Sequence, residues 1–137
     1  MSNRILIVIL SILSYSCSTT SKPETLVQTS KLQHVVLIQY KDSVTSEEFK
    51  TIAEGAQTLK GIEGVHNLQY TTNVSPEGLN KGYTHSLTLY FENETDRDEV
   101  YLPHPIHQDF VKLFVPFTVD VLVYDYWGRI NSAFLSM

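Results

Sequence analysis

Cysteine is nearly absent: Cys17 is the only one in the 137 residues. No disulfide can form within the chain, and no set of thiolates can hold zinc. The fold must therefore stand on packing alone. Basic runs are missing too. The ten Lys and Arg are scattered singly against fifteen Asp and Glu, for a net charge of −5. Without a basic stripe, nucleic acid is excluded as a partner. Glycine and proline are sparse, at six and five, and none of the glycines clusters into a phosphate-cradling loop. Internal repeats, low-complexity runs and Ser-His-Asp spacings are also missing. Only one apolar run stands out, Ile5 to Leu10 with Ile12 and Leu13 beyond it, and it is too short to span a bilayer as a permanent helix.

That run has a specific shape. Arg4 precedes it, and Ser14-Tyr15-Ser16-Cys17 follows. A basic start, a short apolar stretch and small residues before a cleavage point describe a secretory signal. With Cys17 directly after Ser16, residues 1–17 resemble a bacterial lipoprotein signal. The resemblance implies that Cys17 becomes the lipidated residue and ties the protein to the cell-envelope membrane. Residues 18–30 are polar and rich in Ser and Thr, and are expected to form a flexible tether. One domain follows, from Lys31 to Gly128, and residues 129–137 form a tail without a clear period. That tail either covers a partner subunit or frays.

Within the domain the periodicities alternate. From Lys31 to Lys41, Leu32, His34, Val36, Ile38 and Tyr40 share one face of a strand. Thr45 and Glu48 fit a capping box, with Val44 and Phe49 placed as a hydrophobic staple. The helix they open carries Phe49, Ile52, Ala53, Ala56 and Leu59 as one stripe, and Gly61 is expected to stop it. A second strand is predicted over Val65–Val74 and a third over Tyr83–Phe91, the latter with His85, Leu87 and Leu89 on one face. Thr95 is expected to cap a short helix reaching Tyr101. Pro105 suits the first position of another helix, whose stripe is Ile106, Phe110, Leu113 and Phe114. The β-branched and aromatic stretch Val119–Tyr126 closes the set. The order β-α-β-β-α-β gives an α+β, ferredoxin-like sandwich with both helices on one face of an antiparallel sheet. Its other face keeps apolar and aromatic residues, so a homodimer with the two sheets face to face is expected.

Chemistry concentrates in Tyr101-Leu102-Pro103-His104-Pro105-Ile106-His107. His107 titrates near neutral pH and is the best general base. It can meet Tyr101 only if the proline turn folds back. Tyr101 either donates its phenol hydrogen to a carbonyl or serves as an aromatic core residue. His104 either caps the helix or joins a pocket. His34 beside Val36, and His85 beside Leu87, are either satisfied core imidazoles or groups projecting into an internal pocket. Four histidines could supply three metal ligands in space, but no pair has ligand spacing and no thiolate is at hand, so neither metal nor cofactor is assigned.

The stretch from His34 to Tyr126, about two-thirds of the chain, resembles the stress-responsive A/B barrel (Dabb) family. The resemblance rests on His34-Val35-Val36-Leu37, Gly61-Ile62-Glu63-Gly64-Val65, Asn73-Val74-Ser75-Pro76-Glu77, Gly82-Tyr83-Thr84-His85, the Tyr101–His107 stretch and Val121-Leu122-Val123-Tyr124-Asp125-Tyr126. It implies a ferredoxin-like domain that dimerises into an α/β barrel. One member of the family, a plant polyketide cyclase, performs an intramolecular aldol cyclisation without metal or organic cofactor. Its catalytic Tyr and His match Tyr101 and His107, and two further pocket histidines match His34 and His85. Activated thioesters live in the cytoplasm, so an exported chain points first to a pocket that binds a small, largely apolar ligand. The alternative is a cofactor-free acid–base enzyme using Tyr101 and His107 on a carbonyl substrate.

Overall fold

The structure, a computed structural model, describes residues 29–130. The expected signal with Cys17, most of the tether and the tail beyond Ile130 lie outside them. Alternation in the first stretch produces β1, Thr29–Tyr40. It begins two residues inside the expected tether. Its face of Leu32, His34, Val36, Ile38 and Tyr40 is buried throughout.

The helix α1, Ser46–Thr58, opens on the expected capping box: Thr45 Oγ1 accepts from the Glu48 amide, and the Glu48 carboxylate accepts from the Thr45 amide at 2.7 Å. Its end differs from the expectation. A 3₁₀ turn over Leu59–Gly61 finishes it, and the left-handed glycine is Gly64, at φ 83°. Strand β2, His66–Thr72, stops two residues early and leaves Val74 88% exposed. Asn67, at φ 50°, makes a bulge that interrupts its register with β3, His85–Phe91.

The next segment departs furthest from the sequence reading. Asp96–Tyr101 is a π-helix, closed by Leu102 N–H donating to the Arg97 carbonyl at 2.9 Å. Thr95 does not cap it. Asn93 Oδ1 accepts from the Asp96 amide instead, at 2.9 Å. Helix α2, Pro105–Phe114, starts with Pro105 as expected, and a 3₁₀ turn leads to β4, Thr118–Ile130. The last strand therefore takes in two residues of the expected tail.

The sheet order is β2-β3-β1-β4, antiparallel throughout, with α1 and α2 on one face. Ile38, Ile52, Leu59, Leu87, Phe91 and Tyr101 fill the space between sheet and helices. In β4, Val121, Val123 and Asp125 stand opposite Ile38, Val36 and His34, so they share the helix-facing side. Leu122, Tyr124 and Tyr126 consequently point to the uncovered face and are 40%, 61% and 45% exposed.

Candidate functional site

A cavity of about 400 Å³ lies between α2 and the β1–β4 side of the sheet. His34, Val36 and Ile38 line it from β1, Val121 and Val123 from β4, and Leu87 from β3. The π-helix adds Tyr101, and α2 adds His107, Phe110, Val111 and Phe114. Its size suits a small organic ligand, and its polar groups are few and placed together. Five of the residues singled out in the sequence, His34, Val36, Leu87, Tyr101 and His107, thus share one wall system.

The proline turn does fold back. His104 N–H donates to the Tyr101 carbonyl at 3.1 Å. That closure brings the Tyr101 and His107 rings to 4.3 Å between centroids. Tyr101 is 2% exposed and sits edge-on to His34 at 5.7 Å. Burial raises its phenol pKa, and the Asp125 charge adds to the rise. Tyr101 therefore keeps its hydrogen across the ordinary pH range and is a donor.

Each imidazole has one nitrogen engaged. A backbone carbonyl can only accept, so His107 Nδ1–H donates to the Leu102 carbonyl, 3.0 Å away. Gln108 Nε2 donates to the same oxygen at 2.7 Å. The His107 lone pair is then on Nε2. Burial lowers the pKa of His107, against the pull of the Leu102 carbonyl, and His34 lowers it further. The ring is neutral at pH 7, in the form a base requires.

His34 is held differently. Only 5% exposed, it donates from Nδ1 to Asp125 Oδ1 at 2.7 Å. The other carboxylate oxygen, Oδ2, accepts from Arg97 Nη1 at 2.9 Å. Arg97 turns its remaining edge to Asp98, Nε to Oδ1 at 2.7 Å and Nη2 to Oδ2 at 3.1 Å. This fork holds the Asp98 carboxyl below its usual value, and the two carboxylates together raise the guanidinium. Asp125 and Arg97 escaped the sequence reading. The available signal was a lone acid at an inward position of an otherwise apolar strand, with register to His34 needed to interpret it.

Two sequence candidates stand outside the cavity. His104 is the cap of α2, its Nδ1 accepting from the Ile106 amide at 3.2 Å. His85 is enclosed by aromatic rings, stacked on Phe49 at 4.9 Å and on Tyr70 at 5.7 Å, with Tyr40 edge-on at 5.0 Å. Burial lowers its pKa. Among the described residues, no group of three or more His, Cys, Asp or Glu is placed to hold a metal ion.

Comparison with known proteins agrees with this architecture. The stress responsive A/B barrel domain matches residues 32–128. A stress-response A/B barrel domain-containing protein of Arabidopsis thaliana is 34% identical over 96 residues, 69% of this chain and 87% of that protein. The olivetolic acid cyclase of Cannabis sativa is 28% identical over 103 residues, 72% of this chain and 97% of the cyclase. A hydroxynitrile lyase from Passiflora edulis superposes with a TM-score of 0.67 at 20% identity, over 73% of this chain and 94% of the lyase. A dimeric ferredoxin-like protein from Thermobifida fusca gives 0.64 at 16%, over 72% and 92%. Fold and matched span agree, and the chain belongs to the stress-responsive A/B barrel (Dabb) domain family.

Proposed function

We propose that the cavity is the active site of a cofactor-free acid–base enzyme acting on a small, largely apolar carbonyl compound. The observation that carries this reading is the meeting of Tyr101 and His107 on one apolar cavity, a protonated phenol beside a neutral imidazole. His107 Nε2 takes a proton from the carbon next to the carbonyl. The C–H electron pair moves into the new C–C double bond, and the carbonyl oxygen becomes an enolate oxygen. Tyr101 donates a hydrogen bond to that oxygen as its charge develops. The enolate is then reprotonated elsewhere or attacks a second carbonyl of the same molecule. The likeness to a cyclase over most of both chains supports this class of reaction.

Simple ligand binding, which the sequence put first, needs only the void and its apolar lining. It leaves the meeting of a protonated phenol and a neutral imidazole on the cavity without a purpose, so the enzymatic reading moves ahead. The proposal also takes in a homodimer, with the face bearing Leu122, Tyr124 and Tyr126 laid against a second copy. Export as a lipoprotein through Cys17 belongs to it as well and rests on the sequence alone.

The test is deuterium exchange at the α-carbons of a medium-chain methyl ketone, followed by proton NMR with the full chain. The expected result is exchange faster than in buffer, reduced about 10²-fold or more by His107→Ala and by Tyr101→Phe. Exchange at the buffer rate, with ketone signals still showing contact with the protein, would make the cavity a binding site only.

A further inference from the structure

A second cavity lies on the other face of the sheet, and the enzymatic reading makes no use of it. It measures about 290 Å³, with Leu37 of β1 and Ser86 of β3 as its floor. These two residues are partners in register, each one place from the helix-facing pair Val36 and Leu87, so they point away from the helices. The walls come from the loop between β2 and β3. Asn73–Glu77 and Gly82–His85, two stretches singled out in the sequence, both border it.

The loop is tied down at several points. Asn73 N–H donates to the Thr84 carbonyl at 2.7 Å, and Thr84 N–H to the Ile38 carbonyl at 3.0 Å. Tyr83 reaches across to β4, where its hydroxyl donates to Asp120 Oδ2 at 2.6 Å. Gly82 allows the close approach: a Cβ there would stand 2.6 Å from Gln39 Nε2, on a backbone at φ 89°. These bonds decide which atoms are left for a guest. Asn80 donates from Nδ2 to the Tyr83 carbonyl at 3.0 Å, which leaves Oδ1 as an acceptor. Tyr83 has spent its hydrogen on Asp120, so its oxygen can only accept as well. Glu77 bonds through its amide, to Ser75 Oγ at 3.4 Å, and its carboxylate makes no ion pair among the described residues. Against these acceptors stands the amide donor Asn73 Nδ2, whose Oδ1 accepts from the Ser75 amide at 2.9 Å. Lys81 belongs to the same loop and does not border the cavity.

We propose that this second cavity binds a small organic ammonium, its charged group at Glu77, Asn80 and Tyr83 and its apolar body on Leu37 and Leu79. An ammonium is all donors and no acceptor, which matches a wall that is mostly acceptors and carries a carboxylate. An anion would meet that carboxylate with no cation to offset it. A neutral polyol offers acceptors as well as donors, and the wall has little to give the acceptors. Leu79 is 70% exposed, so a guest with an apolar body would also cover surface the fold leaves wet. The inference stands apart from the enzymatic reading, which concerns the opposite side of the sheet. Leu37 also belongs to the face proposed to meet a second copy, so binding is measured on the full chain in its own state of assembly.

The experiment is ¹H–¹⁵N NMR of the full chain near neutral pH, titrated separately with n-hexylammonium, hexanol and hexanoate. The side-chain amides of Asn73 and Asn80 and the backbone amides of Gly78 and Gly82 report this cavity. The backbone amides of Val121 and Val123 report the first one. The expected result is that hexylammonium moves the loop signals to saturation, hexanol moves them only at higher concentration, and hexanoate leaves them in place. Glu77→Gln should weaken hexylammonium by about threefold to fivefold, the size of one exposed charge pair. Added salt should weaken the parent in the same direction. Leu79→Ser should weaken hexylammonium and hexanol alike, since both lose the same apolar contact. Hexanoate that binds as tightly as hexylammonium, or a Glu77→Gln titration equal to that of the parent, would overturn the assignment. So would loop signals that respond to none of the three, or shifts confined to Val121 and Val123. Ketone exchange at the buffer rate with the loop response intact removes the enzymatic reading alone.

Discussion

At the scale of single residues, protonation decides most of what this site does. In the proposed mechanism His107 acts only as the neutral ring, and burial is the main reason its pKa lies below the ordinary imidazole value of about 6.5. Ketone exchange should therefore hold from neutral pH down to that value and fall at lower pH, as the ring gains a proton it cannot use. A rate profile between about pH 4.5 and 8 checks this; a limb centred above the ordinary imidazole value would contradict it. His85 carries a stability prediction with the same sign. Its burial disfavours the charged ring, so the unfolded chain binds a proton that the folded one refuses. Stability is then full above about pH 6.5 and declines as pH falls below it. Thermal melts of His85→Phe should show a shallower loss between neutral and acidic pH than the parent, with the contribution of His107 left in place. In the sequence, alternation placed His34 beside Val36 on one strand and His85 beside Leu87 on another, each on the apolar face. Period alone cannot say what stands over each ring, and Phe49 from α1 stands over one while the cavity lies beside the other. Asp125 was hidden for the same reason, since its partner is 91 residues away.

At the scale of elements, caps were legible and irregular turns were not. The Thr45–Glu48 box has a four-residue signature, and the structure contains both of its hydrogen bonds. Thr45→Ala should cost roughly 1 kcal/mol, read as a lower urea midpoint with unchanged slope. The π-helix has no such signature: six residues with i→i−5 bonding are too few to establish a period. Asn93 does the capping that Thr95 was expected to do, because its side chain reaches the Asp96 amide. Gly64 links this segment to the turn after α1. A Cβ there would stand 2.9 Å from Asp96 Cβ, on a backbone already at φ 83°. Gly64→Ala should destabilise the fold by roughly 1–2 kcal/mol from backbone strain alone, with the contact adding to it. A denaturation midpoint equal to that of the parent would show that the turn adapts.

At the scale of the whole molecule, the topology was readable because each element announced its own period and the order of periods allows few folds. The cavity was not, since its walls come from β1, β3, β4 and α2 at once. The uncovered sheet face sets the assembly prediction. Leu122, Tyr124 and Tyr126 line its β4 edge, next to Leu37, Val35 and Gln33 of β1. Native mass spectrometry of the full chain should find a dimer, and Tyr124→Asp should shift it towards monomer. A monomeric parent at micromolar concentration would end the barrel proposal. The pairing of β1 with β4 also fixes an order in time. His34 stands on the first of the described strands, and its carboxylate partner lies on the last of them. Until β4 has docked on β1, that imidazole has no acid behind it and the cavity lacks a wall. On the reading proposed above, closing the sheet and completing the site are therefore one event.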